Sequence, residues 1–301
     1  MTAWRSRIPW RLKIAAKIVL ARLPVPYAFW RSLSLFKHGE MEEPEYAFGV
    51  FRTHYDAAGL AAVPGPVVLE LGPGDSVSSA VAAHAYGASR TILVDSGRFA
   101  VGAVASARRM AEHLRARGLT PPAIDAAKSI EEVLDLCGAE YRTDGIESLR
   151  GLTDGSVDLV WSHAVLEHVR RGELPELLGE LRRVQRPGGV GSHQIDFRDH
   201  LSGGLESLRF GSRVWESELF ARSGFYTNRV LYSEMIERFR RAGFDVEAHA
   251  IERRPEAPIT RASVNEGFRS LPAEDFRIAG AHLLVRRAGG DEGPTRSSPA
   301  A

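Results

Sequence analysis

A single cysteine, Cys137, is all the thiol chemistry in 301 residues. One cysteine excludes an intrachain disulfide framework and suits a reducing, cytosolic compartment. No apolar run approaches the roughly 20 residues that a membrane-spanning helix needs. There is no surplus of one charge: 39 Lys and Arg face 38 Asp and Glu, for a formal charge of +1. Nothing global therefore calls for nucleic acid. What is present is a 44% hydrophobic content, enough for one large domain with extras or for two small ones.

One absence is local. Residues 1–39 contain no Asp or Glu, while Arg5, Arg7, Arg11, Lys13, Lys17, Arg22, Arg31 and Lys37 alternate with Trp4, Trp10 and aliphatic side chains. Such a basic amphipathic stretch either packs on the protein with its charged face in water or lies on an anionic membrane surface. Lys13 and Lys17 interrupt any secretory apolar region. The expected location is cytoplasmic, with peripheral contact at the inner membrane face through residues 1–39 as the added reading.

The chain then takes a regular order. Residues 1–62 read as a helical N-terminal extension, broken at Pro24 and Pro26 and resuming over 44–59 with Tyr46, Val50, Phe51 and Tyr55 on one side. Residues 63–287 alternate strands and helices. Strands are expected at Val67–Leu71, Arg90–Val94, 140–143, 157–162, 190–196, 244–251 and 278–286. Helices are expected at 76–86, 98–117, 129–136, Leu174–Val184 and 232–242. Strand–helix alternation with short turns implies a mostly parallel α/β sheet with helices on both faces. Residues 197–230 are too long for an ordinary connection and read as an insert or lid on the acceptor side. The tail, 288–301, has the composition of a disordered segment.

A third absence sharpens the stretch V-V-L-E-L-G-P-G-D-S at 67–76. Gly72 and Gly74 bracket a turn between a buried strand and a helix, the place where open α/β sheets bind nucleotides. A diphosphate-binding fingerprint would have a third glycine three residues on, where Val77 stands. Glu70, near the strand end, could meet an amino-acid ammonium, which a phosphate ligand would not ask for. Asp95 ends the second strand about 20 residues after the turn, with Ser96 beside it, and a carboxylate there can accept both hydroxyls of a ribose. The plain alternative for Asp95 is a turn-starting residue before Ser96-Gly97.

With these pieces, the run D-G-S-V-D-L-V-W-S-H-A-V-L-E-H-V at 154–169, the P-G-G at 187–189 and the R-A-G-F at 241–244, the chain resembles the class I S-adenosyl-L-methionine-dependent methyltransferases over about residues 65–287. The resemblance implies a Rossmann-like, mostly parallel seven-stranded sheet whose last strand is antiparallel and inserted before the sixth. It implies S-adenosyl-L-methionine as cofactor. It places Glu70, Gly72, Gly74, Asp75 and Ser76 around the methionine part and Asp95 with Ser96 at the ribose. Gly145 and Ile146 fall beside the adenine, where Asp144 or Glu147 could supply an acidic partner. Ser162 and His163 fall beside the transferring methyl.

Methyl transfer asks the protein mainly to position an acceptor and exclude water. A hydroxyl acceptor profits from a general base. The base candidates are His163, His193, Asp196 and His200, with Asp199 in the same dense run; His193 also has the plain reading of a core histidine, and His168 reads as structural. No metal is assigned, although Asp196, Asp199 and His200 are types that can hold a divalent cation. In the insert, Arg209, Arg213, Arg229, Trp215 and Tyr226 could bind a phosphate- or sugar-bearing acceptor. The expectation is therefore O-methylation of a small-molecule, glycan or lipid-linked acceptor. An NAD-type oxidoreductase and a non-catalytic cofactor-binding scaffold are the other readings.

Overall fold

The computed structural model describes residues 41–100 and 102–289. The expectations for the basic stretch up to residue 40 and for the tail from residue 290 lie outside the described residues. The strands are β1 (Val67–Leu71), β2 (Arg90–Val94), β3 (Ala139–Arg142), β4 (Val157–His163), β5 (Gln185–Asp196), β6 (Phe244–Arg253) and β7 (Ile278–Arg287). They form one seven-stranded sheet in the order β3-β2-β1-β4-β5-β7-β6. β1 to β5 run parallel, and β7 is antiparallel to both β5 and β6. The chain moves outward from β1 through β2 to β3, then crosses back to lay β4 on the other side of β1. That reversal puts a crevice outside the carboxyl ends of β1 and β4.

β1 and β2 are buried on both faces, as parallel strands under helices must be. Their apolar runs leave no polar stripe, which is why both strand boundaries match the sequence reading. Asp158 holds β1 beside β4. Its buried carboxylate accepts the Val67 N–H at 2.8 Å and pairs with Arg186, which offsets the cost of burying a charge.

Alternation along each strand sorts side chains by face. Trp161 and His163 share one face with Ser192 and Gln194, while Ser162 and His193 share the other. The first face is covered by α1 (Pro44–Ala58) and α2 (Ser78–Ala85), where Phe51 and Tyr55 pack against Val68 and Trp161. α3 (Val104–Ala116) and α4 (Ile130–Cys137) extend that layer over β2 and β3. α5 (Ile146–Arg150) and α6 (Leu174–Val184) pack on the second face through Leu149, Leu177, Leu178 and Leu181.

Several expected boundaries move for local reasons. The helix expected over 98–117 begins only at Val104, because Tyr141 Oη accepts the Phe99 N–H and donates to the Gly97 carbonyl, pinning that segment to β3. The helix expected from residue 76 begins at Ser78, whose N–H is accepted by Ser76 Oγ. α4 starts after Ser129 because the Ser129 hydroxyl accepts the Glu132 N–H at 3.2 Å, an N-cap. β5 begins at Gln185 rather than 190, with an irregular register between Val157 and Leu159.

The connection from β5 to α9 (Tyr232–Arg241) carries two one-turn helices, α7 (Ser212–Trp215) and α8 (Glu218–Ala221). It folds around its own apolar cluster of Leu201, Trp215, Phe220, Phe225 and Tyr226.

At Gly191 of β5 an added Cβ would run into the Val285 side chain of antiparallel β7 and lie 3.0 Å from His193 Nε2. Gly191→Ala should therefore destabilise the protein by about 1–3 kcal/mol, the usual cost of overpacking. Urea unfolding of the variant checks this; an unshifted midpoint would mean that β7 yields freely.

Candidate functional site

The glycine turn after β1 is built to bend. Gly72 (φ 73°) and Gly74 (φ 64°) both take the left-handed conformation that favours glycine. The Gly72 N–H donates to the Val94 carbonyl at 2.8 Å, and a Cβ on Gly72 would lie 2.5 Å from Val165. The turn is thus clamped between the ends of β2 and β4. The Gly74 N–H donates to Asp95 Oδ2 at 3.0 Å, and the Ser96 N–H donates to Asp95 Oδ1 at 2.7 Å. The Gly145 N–H donates to the Asp95 carbonyl at 2.9 Å, which draws the start of α5, including Ile146, onto the same spot. Gly74, Asp95, Ser96 and Gly145 therefore meet at one rim of the crevice. A carboxylate offers about four acceptor sites, so the oxygens that hold the turn can also take a diol.

Asp75 and Ser76 are buried in the turn, and Ser76 Oγ donates to Ser78 Oγ at 2.8 Å. Glu70 lies beneath the cradle rather than in it. Its buried carboxyl accepts the Ser79 hydroxyl at the start of α2. Burial pushes the Glu70 carboxyl up to about 8, the Ser79 hydrogen bond opposes that, and the charge of Asp95 adds to it. Glu70 thus supports the turn from below through Ser79.

His163 closes β4 and is half-buried. The next residue, Ala164, has φ 54°, a conformation that L residues other than glycine adopt only at a cost. This turn, fixed by the Ala164 N–H donating to the Gln194 carbonyl at 2.8 Å, drops Val165 onto Gly72. Such a backbone keeps the His163 ring at the crevice. Tyr46, on α1, brings its hydroxyl to 3.2 Å from His163 Nε2, with the two rings edge to face. Burial lowers the His163 pKa from 6.5, and a hydrogen bond with the Gln194 side chain partly offsets that. The imidazole is neutral at pH 7.

Next to it stands a group of rings that the sequence reading missed. His54 of α1 is fully buried, lies 4.8 Å centroid to centroid from Trp161, and bonds through Nδ1 to Ser192 Oγ at 2.7 Å. His282 of β7 bonds through Nε2 to the same hydroxyl, also at 2.7 Å. Burial drives His54 well below the usual imidazole range, and repulsion from His282, His163 and His193 adds to it. Burial likewise lowers His282 to about 4. The available signal was a histidine at helical spacing from Tyr46 and Val50, on a stripe otherwise apolar.

Other expected site residues fall elsewhere. His193 points to the opposite face, is buried against Phe239 in a stacked pair, and bonds through Nδ1 to Ser162 Oγ at 2.8 Å. Burial lowers its pKa to about 3. The catalytic expectation for His193 is corrected on this ground, as is that of a Ser162 side chain facing the cofactor: the two satisfy each other inside the core.

Asp196 ends β5 half-buried, and its Oδ1 accepts the Arg198 N–H at 2.8 Å. Its own N–H approaches Glu167 Oε1 at 3.4 Å. Glu167 is buried and pushed up to about 8, first by burial and then by the charge of Asp196. His200 lies edge to face against His168 at 4.8 Å, and His168 Nδ1 is 3.0 Å from the Tyr226 carbonyl, so these rings tie the insert to the turn after β4. The Asp199 carboxylate accepts the N–H groups of Leu201, Ser202 and Ser207 and so shapes its own loop. Among the described residues, no three His, Cys, Asp or Glu side chains are grouped to hold a metal ion.

The insert departs from expectation. Trp215 and Tyr226 are buried in its own core. Arg229 is buried over Trp215 and Phe268, donates to the Phe210 carbonyl at 2.6 Å, and is lowered to about 10 by burial. These three side chains hold the insert together and do not reach outward. Arg213 is exposed, and Val214 and Leu219 are 48% and 38% exposed beside it.

Residues 69–191 match the family model described as a methyltransferase domain. Among solved structures, an S-adenosylmethionine-dependent methyltransferase from Archaeoglobus fulgidus aligns at 15% identity and TM-score 0.47, over 87% of this chain and all of that one. Another from Mesorhizobium loti aligns at 17% and 0.41, over 78% of this chain and 97% of that one. The trans-methyltransferase CalH, in complex with SAH, aligns at 18% and 0.44, over 95% of this chain and 66% of that one. No curated protein sequence matches the chain.

The raised Glu70 and Glu167 carboxyls have a sign that can be measured. Between the ordinary carboxylate range and about 8, the folded protein holds protons that the unfolded chain has released. Their stabilising effect is complete below the unfolded pKa and is lost as pH rises through the folded one. Glu70→Gln, which mimics the protonated form, should flatten the fall in stability between about pH 6.5 and 8.5, a window above the ordinary histidine range. Adding Glu167→Gln should flatten it further. Urea midpoints across that window test this, and an unchanged slope in both variants would refute it.

Proposed function

We propose, from the match of residues 69–191 to a methyltransferase domain and from the order of the seven-stranded sheet, that this chain is a class I S-adenosyl-L-methionine-dependent methyltransferase and that it methylates a hydroxyl oxygen of a small-molecule, glycan or lipid-linked acceptor. The observation that carries the hydroxyl is a neutral imidazole, His163, held at the carboxyl end of β4 where the strand order reverses. An alcohol is a poor nucleophile while it keeps its proton, and a nearby neutral imidazole is the group suited to take it.

The donor set fits the cofactor. Asp95 takes the ribose hydroxyls, with the Gly74 turn and Ser96 fixing its two oxygens. Gly145 and Ile146 border the adenine, drawn in by the Asp95 carbonyl. Gly72, Asp75 and Ser76 shape the methionine end, and Glu70 supports it through Ser79. When bound, the cofactor supplies a methyl group on a positively charged sulfur, an already activated leaving group.

The protein's own work is then positional and protic. The turn at Ala164 sets His163 against the crevice, Val165 seals the glycine turn, and Gln194 favours the imidazolium that forms. Asp196 lines the acceptor end of β5. Glu167 beside it is a protonated acid at neutral pH.

The insert at 197–230 covers the acceptor side through its outer residues Arg213, Val214 and Leu219, an amphipathic edge suited to a lipid-linked or glycan acceptor. His200 acts by packing the insert onto His168. No described helix is long and apolar enough to cross a membrane. Any contact with a membrane surface falls to residues 1–39, whose basic, Trp-bearing sequence supports it.

Asp95→Ala removes charged hydrogen bonds of about 1.5–3 kcal/mol each and should weaken binding of S-adenosylhomocysteine at least about tenfold. Calorimetry measures it, and unchanged affinity would displace the ribose from Asp95. His163→Gln should keep that affinity while lowering kcat by about 10²–10⁴-fold. The acceptor class is tested by labelled methyl transfer to glycan and lipid fractions of a cell envelope; label only in protein or nucleic acid would overturn it.

A further inference from the structure

We propose that Tyr46 is the catalytic group that meets the acceptor, handing its own proton back to His163 as it receives the acceptor's. The inference rests on the methyl-transfer reading above and adds a residue to it from α1, which the domain match at 69–191 does not include. His163 Nε2, the nitrogen that would have to reach an acceptor directly, is already engaged by the Tyr46 hydroxyl at 3.2 Å. His163 Nδ1 is buried. Neither ring nitrogen is therefore presented to a ligand. Tyr46 is 39% exposed, and its hydroxyl is the group bonded to the imidazole.

The rest of α1 is held for this. Its buried face is Val50, Phe51, His54 and Tyr55. His54 is joined to β5 and β7 through Ser192, which His282 shares. A serine hydroxyl has one proton, so one of these rings donates to Ser192 Oγ and the other accepts from it. This line forms with both imidazoles uncharged, each placing one nitrogen on the shared hydroxyl. It fixes the helix two turns beyond Tyr46, and with it the placement of the phenol over His163.

The step balances as follows. The acceptor oxygen gains a bond to the methyl carbon, and the pair from the broken carbon–sulfur bond stays on sulfur as a neutral thioether. The acceptor proton goes to Tyr46 Oη. The Tyr46 hydroxyl proton goes to His163 Nε2. The phenol is regenerated, and the positive charge lost from sulfur reappears on the imidazolium beside Gln194.

The test is Tyr46→Phe, which keeps the edge-to-face ring contact with His163 and removes only the hydroxyl. In the ligand-free full-length protein, nitrogen chemical shifts of His163 should report Nε2 as the bare, accepting nitrogen, and this preference should weaken in Tyr46→Phe. With cofactor and acceptor, Tyr46→Phe should lower kcat by about 10²-fold or more, with S-adenosylhomocysteine affinity unchanged by calorimetry. If Tyr46→Phe keeps full kcat while His163→Gln loses it, His163 acts alone and the inference fails with the methyl-transfer reading intact. If both variants keep full kcat, that reading of His163 fails as well. An Nε2 carrying a proton in the wild-type ring would also overturn the inference.

Discussion

Two imidazoles sharing one serine hydroxyl hold this molecule's working parts in register. His54, Ser192 and His282 come from a helix, a parallel strand and an antiparallel strand, and two hydrogen bonds join them through the shared hydroxyl. Burial drives both pKa values down and keeps the rings neutral. The arrangement therefore stays assembled at neutral pH by desolvation, the same force that would make a charged ring there so costly. Through it, α1 is fixed over β4 and β5, and Tyr46 reaches the end of β4.

A second constraint acts across the crevice. The turn after β1 and the turn after β4 are one packed unit, since Gly72 has no room for a side chain against Val165, and Ala164 takes a left-handed conformation to deliver that valine. Asp95 closes the other side by holding the Gly74 N–H while its own carbonyl accepts from Gly145. The crevice rim and the His163 turn are thus parts of a continuous backbone assembly. A change at either turn is felt by the other.

Glu70 and Glu167 are held protonated near neutrality, while His54, His193 and His282 are held neutral. These five side chains therefore add little charge to the interior. Asp196 and Asp95 lie nearer the surface.

Much of this was legible in the chain. Val67–Leu71, Arg90–Val94 and Leu174–Val184 declared themselves because apolar runs and a regular leucine stripe are local properties, and so did the glycine turn and the carboxylate at Asp95. The seven-stranded order with an antiparallel insertion came from the resemblance carried by those motifs. Pairings between distant segments were not legible. Periodicity marks a face as apolar but does not say what it will meet. Hence His193 looked like a base until its strand register turned it toward Phe239, and the insert's aromatics looked like a binding surface until they closed on one another. His54 drew no notice, and Tyr46 looked like part of an apolar stripe. Only the folding of α1 onto β4, β5 and β7, more than a hundred residues away in the chain, decided that one would be a buried linchpin and the other would face His163.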